Sequence, residues 1–375
     1  MALQFIFGGS GSGKSTYLYN KITNEAEKHP DLNYMVLVPE QFTMQTQKDL
    51  VFMSRKHGIM NIDVLSFVRL SHRIFEETGK GQIPILDDEG KNLVLRKIAG
   101  DSPLELCMLK GNIKKLGYIS EVKSVISEFT QYDIGIEELE RVMESVGTES
   151  SLYYKLKDMA LLYERFQKYL QNKYITKEEL LDVLCRVAEE SELLKKSTVV
   201  LDGFTGFTPV QNRLLEKLLK ICRDVIITVT IDERENPYAY KHPYQLFAMS
   251  KHTVSTLMDI AKLANVEVKE PVCLKQRPFF RFRKAPGLEF LEKSLFRSFR
   301  EDYGTEPEEI EIHTARDPGR EALAAVGEIR RLIRKKQYRY REVGVIVTDM
   351  EAYGDYLEQA FRCLLYTSDA ADDLI

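Results

Sequence analysis

The sequence is poor in the residues that build metal centres, redox pairs and membrane spans. Its five cysteines, Cys107, Cys185, Cys222, Cys273 and Cys363, are scattered through 375 residues. No CxxC pair occurs, which removes the usual signature of a zinc ribbon or redox dithiol. The cysteines read as inert thiols in a reducing compartment. The six histidines form neither an HxxxH nor an HExxH pair. No apolar run approaches the ~20 residues that cross a bilayer. The opening Leu3-Gln4-Phe5-Ile6-Phe7 is strand-like and lacks the basic and long apolar parts of a signal peptide. A cytoplasmic protein with no membrane partner is expected. Excess positive charge is missing too: 53 Lys and Arg stand against 57 Asp and Glu, a formal charge of −4. That excludes a polybasic DNA binder of the histone kind. Any nucleic-acid contact must be local or come through a partner.

What is present is an ordinary globular composition, 44% apolar and 29% charged. The length suits two or three domains of ~100–200 residues. Apolar, β-branched runs at 4–8, 34–39, 62–67, 198–204, 225–231, 309–313 and 343–348 alternate with helix-length segments. Nearly continuous apolar strands indicate a parallel sheet covered on both faces, hence an α/β fold. Residues 86–194 show no convincing strand, only charged amphipathic patterns such as Glu121 to Phe129. This stretch is expected to be an all-helical insertion between two halves of one domain, 1–85 and 195–285. Residues 286–308, with Gly287, Gly304 and Pro307, read as a linker, and 309–361 as the start of a second α/β domain. Residues 362–375 carry no core pattern and read as a tail foreign to the rest. The basic cluster Lys335, Lys336, Arg339 and Arg341 reads as a solvated helix end and turn.

One motif carries chemistry. Gly8-Gly9-Ser10-Gly11-Ser12-Gly13-Lys14-Ser15 fits GxxxxGK[ST] in full, directly after a strand and before a helical stretch opening at Thr16. Gly8, Gly11 and Gly13 let the backbone turn tightly and bring N–H groups onto phosphate oxygens. The helix N-terminus adds its positive end. Lys14 supplies a point charge to the β- and γ-phosphates, and Ser15 a hydroxyl ligand for Mg²⁺. ATP with Mg²⁺ is the implied cofactor. A carboxylate ending a neighbouring strand should help hold the metal. Asp202 is the candidate and Asp232 its rival.

The segment Asp202-Gly203-Phe204-Thr205-Gly206-Phe207-Thr208-Pro209-Val210-Gln211 can be laid without gaps on the DEFQDTNxxQ stretch of superfamily 1 UvrD-like DNA helicases. It keeps the Asp, the Phe and the final Gln. Val36 to Thr43, and Val64 to Leu70, take the places of two loops that touch single-stranded DNA in those enzymes. Ala315 to Ala322 and Tyr338 to Val347 look like the opening of the second motor domain. Together these segments resemble the N-terminal part of the AddB family, helicase–nuclease subunits of bacterial double-strand break repair.

The resemblance implies a P-loop NTPase, RecA-like in fold, with domains 1A, 1B and the start of 2A. It implies an AddA-like partner subunit, single-stranded and duplex DNA ends as substrates, and a part in recognising the Chi sequence. Nucleotide would be met by residues 8–16 and by Gln211. DNA would be met by Gln41, Thr43, Phe67, Arg69 and Phe204, with core packing the alternative for both phenylalanines and a surface ion pair for Arg69. The family's C-terminal nuclease domain and its cysteine-held iron–sulfur cluster have no counterpart in these residues. Two departures bear on mechanism. Gly203 replaces the acidic residue that activates water, a loss of about 10²–10⁴-fold. The segment 346–350 lacks the arginine that can contribute about 10³–10⁵-fold. A nucleotide-binding motor with weak or no hydrolysis is therefore expected. A small-molecule P-loop kinase, or a structural module with a relic P-loop, are the alternatives.

Overall fold

Side chains of the first strand, β1 (Ala2–Gly8), enter cores on opposite faces, and this explains the layering. Leu3, Phe5 and Phe7 join one core and Ile6 another. The computed structural model describes residues 1–55, 57–80, 84–101, 106–112, 115–171, 173–297 and 301–364. After β1 come α1 (Lys14–Lys28), β2 (Asn33–Leu37), α2 (Thr43–Met53), β3 (Ile62–Leu65) and α3 (Phe67–Thr78). A helical stretch follows: β4 (Ile85–Leu86), α4 (Asp88–Asp101), α5 (Leu116–Gln131), α6 (Ile136–Val146), α7 (Ser151–Leu170) and β5 (Ile175–Thr176). The chain returns through α8 (Leu180–Val187) and α9 (Glu192–Lys195) to β6 (Ser197–Leu201), α10 (Pro209–Ile221), β7 (Asp224–Thr230), α11 (Ala248–Leu263), β8 (Glu267–Val268) and β9 (Val272–Leu274).

The main sheet runs β3-β2-β6-β7-β1, and β8 and β9 share the outer side of β1. All its pairings are parallel. Met35, Leu37, Val199, Leu201, Val225, Ile227 and Val229 side with Leu3, Phe5 and Phe7 in the core that includes residues of α3, α8, α10 and α11. Tyr34, Val36, Val200 and Ile226 side with Ile6 against α1. Both faces are covered, which is why these strands read as unbroken apolar runs. The sequence reading missed β8 and β9, which are too short and too mixed in character to stand out. Among the described residues no helix is long and apolar enough to cross a membrane.

The insertion has its own core, including Leu95, Ile119, Val122, Ile126, Leu162, Tyr163 and Phe166. Against the expectation from sequence, it is not wholly helical. At its root β4 and β5 pair in parallel, Ile85 with Ile175 and Leu86 with Thr176, because the entering and leaving chains run side by side. Lys91, nearly fully buried, ties α4 to Glu178 at 2.8 Å. Asp158 on α7 is 1% exposed and accepts three backbone N–H bonds, from Cys107, Met108 and Leu109 at 2.7–2.9 Å. One carboxylate thus fixes a whole irregular turn.

The chain divides into two units, 1–285 and 286–375. The second holds α12 (Pro286–Ser294), α13 (Pro318–Lys336) and α14 (Met350–Leu364), the last two packed through Ala322, Val326 and Ala360. Asp317 caps α13 by accepting the Arg320 N–H at 2.8 Å. The strands expected at 309–313 and 343–348 are absent. Strand backbone must be matched by a neighbour, and no described residue pairs with either segment; Ile312 and Ile346 are 89% and 96% exposed. Of the expected tail, residues 362–364 continue α14, and 365–375 lie outside the described residues.

Replacing Asp158 with Ala should leave three amides without their acceptor and destabilise the insertion by about 3 kcal/mol. Hydrogen exchange should accelerate at 107–109 while β1 and β6 keep their protection. Unchanged exchange at 107–109 would refute the assignment.

Candidate functional site

The parallel sheet brings the C-terminal ends of β1, β6 and β7 to one edge, and the candidate site lies there. After Gly8 the chain reverses, with the Ser12 N–H donating to the Gly9 carbonyl at 3.2 Å. Gly11 and Gly13 take φ of +80° and +91°, values that L side chains rarely adopt. Gly13 caps α1, so the helix opens at Lys14 with its unpaired first-turn N–H groups toward the loop. The Lys14 ammonium donates to the carbonyls of Gly8 and Gly9 at 3.0 and 2.9 Å. Burial pulls its pKa down to about 8; the Asp202 charge opposes this and the Arg281 charge adds to it. Ser12 Oγ is buried without a hydrogen-bond partner among the described residues. A cavity of about 360 Å³ opens over the loop, lined by Gly11, Lys14, Ser15, Asp202, Thr228 and Arg281 among others.

Asp202 follows β6 and is 5% exposed. Its Oδ2 accepts from the Tyr19 hydroxyl at 2.7 Å and its Oδ1 from the Thr228 hydroxyl at 2.6 Å. It is the only carboxylate among the residues lining this cavity. The rival Asp232 lies outside that lining and is bound by the Arg234 guanidinium at 2.6 and 2.8 Å. Gly203 has φ +79°, so a non-glycine residue here would be strained as well as different in chemistry.

An arginine from a segment that the sequence reading did not weigh lies by the loop. Arg281 stands beside it, its guanidinium donating to Ser10 Oγ at 3.1 Å and its backbone N–H to the Gly11 carbonyl at 3.3 Å. The reason is topological. Pairing of β9 with Ile6, Phe7 and Gly8 delivers the following residues alongside the loop. There the Phe279 ring packs so closely on Gly9 that a Cβ at that position would collide with it. The Arg277 guanidinium lies 4.2 Å over that ring and bonds Glu233 at 2.6 Å. Gln211 is engaged elsewhere. Its carbonyl accepts the Thr208 N–H at 2.9 Å, closing the capping box of α10, and it does not line the cavity.

The DNA candidates divide. Gln41 and Arg69 are exposed. Arg69 lies 3.7 Å from Glu40, an exposed pair of little energetic weight. Ser66 donates to Glu40 at 2.8 Å and accepts the Arg69 N–H, joining the loop after β2 to the start of α3. Thr43 is buried, its hydroxyl donating to the Glu40 carbonyl at 3.0 Å. Phe67 is buried, with its ring centroid 5.4 Å from that of the half-buried Phe204 and 6.4 Å from Phe207. For Phe67 the packing alternative is the one the structure places. Sequence reasoning missed Phe42, half-exposed beside Gln41, and also Tyr19, Thr228 and Arg281. An aromatic residue inside the Pro39-to-Thr43 segment was the available signal for Phe42. Nothing local marked the other three.

The family model described as "ADDB, N-terminal" matches residues 5–292. The chain belongs to the AddB N-terminal family. Proteins named as ATP-dependent helicase/deoxyribonuclease subunits match 96% of it. The one from Lachnoclostridium phytofermentans is 42% identical over 363 residues. Those from Symbiobacterium thermophilum and Clostridium kluyveri are 35% and 32% identical. This AddB N-terminal chain spans about a third of the length of these relatives, 31–32%.

The Lys14 value near 8 sets a pH dependence. A bound phosphate favours the charged ammonium, so affinity is full below pH 8 and falls as pH rises through it. Titration with a non-hydrolysable ATP analogue should show about a tenfold weakening from pH 7 to 9. A flat profile would mean that Lys14 does not hold the anion.

Proposed function

We propose that this chain is the ATP-binding, DNA-scanning part of a helicase–nuclease subunit that processes DNA double-strand ends and takes part in Chi recognition. The observation carrying the reading is the pairing of a complete phosphate cradle with the lack of an acid poised on it. Backbone N–H groups, Lys14 and Arg281 converge on one cavity, so a triphosphate is well matched. The Ser15 hydroxyl is the side chain that would meet its Mg²⁺. The only lining carboxylate, Asp202, already accepts two hydroxyl hydrogens, and Gly203 offers no base to take a proton from water. Nucleotide therefore binds and turns over slowly or not at all. Segment 346–350, which holds no arginine, supports the same reading.

Translocation along DNA would then come from an AddA-like partner, and the present chain would read the strand. Gln41 and Arg69 supply polar and cationic contacts, Phe42 and the open side of Phe204 a stacking surface. Thr43 and Phe67 hold those loops in shape. Cytoplasmic location follows from this role. Among the described residues no group of three or more His, Cys, Asp or Glu gathers, so no metal centre of the chain's own is proposed.

The test is a binding and turnover pair. The chain should bind the ATP analogue in a manner lost in Lys14→Ala, and should release no more phosphate from ATP when single-stranded DNA is added. DNA-stimulated phosphate release would overturn the degenerate-motor reading. Gly203→Glu should not recover activity, because the left-handed backbone costs a non-glycine residue about 1–2 kcal/mol and misaims it. A recovered rate would show that the backbone there is not held. On the DNA side, Arg69→Ala should weaken single-strand binding and lower the salt slope by about one. Phe67→Ala should instead cost about 3–5 kcal/mol of stability, read by denaturant melts.

A further inference from the structure

We propose that Tyr19 makes nucleotide binding at this cradle nearly independent of divalent cation, by occupying the carboxylate that would otherwise steady a hydrated metal ion. The inference rests on the nucleotide reading above and concerns the cofactor of that same site. Tyr19 lies one helical turn beyond Ser15 on α1, so both residues share a face. Its ring is buried in the layer beneath the sheet, and its hydroxyl reaches Asp202 Oδ2 at 2.7 Å. Burial, and then the charge on Asp202, hold the phenol proton in place by raising its pKa far above the ordinary value. Thr228, on the adjacent strand β7, donates to Oδ1 at 2.6 Å.

An ionised carboxylate has about four lone-pair sites, and one on each oxygen is taken from within the protein. Only 5% of Asp202 is accessible, so little of the remainder can meet water on a cation. No second carboxylate lines the cavity to take over. Part of the anion's charge is offset without metal. Lys14 and Arg281 bring two positive side chains, and the start of α1 brings backbone N–H groups. Magnesium would still meet the Ser15 hydroxyl, but the carboxylate that would steady its water shell is already engaged on both oxygens. Tyr19 acts here as a positioning residue, working through Asp202.

The experiment is a fluorescence titration of this chain with a labelled ATP analogue, once in magnesium and once in EDTA. The wild-type affinities should agree within about threefold. Tyr19→Phe frees Oδ2, and the magnesium affinity should then exceed the EDTA affinity by about tenfold or more. Thr228→Val frees Oδ1 and should shift the ratio in the same direction; it carries the test if Tyr19→Phe does not fold. A wild-type requirement for magnesium of tenfold or more, or a ratio that neither substitution changes, overturns the proposal. Lys14→Ala separates the two readings. If it binds like wild type in both media, the nucleotide assignment has failed. If it loses binding, that assignment stands and the ratio alone decides.

Discussion

Two strands from late in the chain, β6 and β7, insert between β2 and β1, and everything at the site depends on that parallel register. The pairings of Leu37 with Leu201 and of Gly8 with Thr230 bring the strand ends to one edge. The phosphate loop follows β1, Asp202 follows β6, and Thr228 stands on β7 between them. Hydrogen bonds of the ladder therefore hold three parts of a site that are about two hundred residues apart in sequence. The helical insertion can interrupt the chain without disturbing this, because its root is closed by the short pairing of β4 with β5.

At that edge the electrostatics are lopsided. Lys14 and Arg281 lie beside the loop, and one buried carboxylate balances them. Asp202 is a carboxyl group buried away from water, so it needs hydrogen-bond donors, and Tyr19 and Thr228 are those donors. Meeting this need changes what the site can do. A carboxylate satisfied from within is stable but less available to a cation, and a glycine in a left-handed conformation next to it leaves no base. On the proposed reading, the same features that keep the pocket intact favour retention of a nucleotide over its cleavage. The strap through Phe279 and Arg281 has a comparable double effect. It packs on Gly9 and Gly11, positions that tolerate no Cβ, and it delivers a cation to the pocket.

Much of this was legible in the residues. The glycine-rich loop, its flanking strand and helix, the five central strands and the mainly helical stretch between them follow from spacing and periodicity, which are local properties of the chain. Asp202 was recognisable as a polar residue ending an apolar run. The bonds of Gln211 were not legible, because its helicase-like position says nothing of them; here it closes a helix cap. Phe67 was ambiguous because an aromatic residue at a strand end serves core and ligand equally well until its neighbours are known. The strands expected at 309–313 and 343–348 show the limit of pattern. A β-branched run states a preference, and only a neighbouring backbone makes it a strand.

The sequence by itself determined the glycine-rich loop after β1, the α/β class and the glycine after Asp202, since each is written in consecutive residues. Only the tertiary structure decided which arginine stands by the loop and what occupies Asp202. Both depend on strand order, through β9 beside β1 and β7 beside β6. Strand order is set by packing between distant segments, a physical fact that no local pattern encodes.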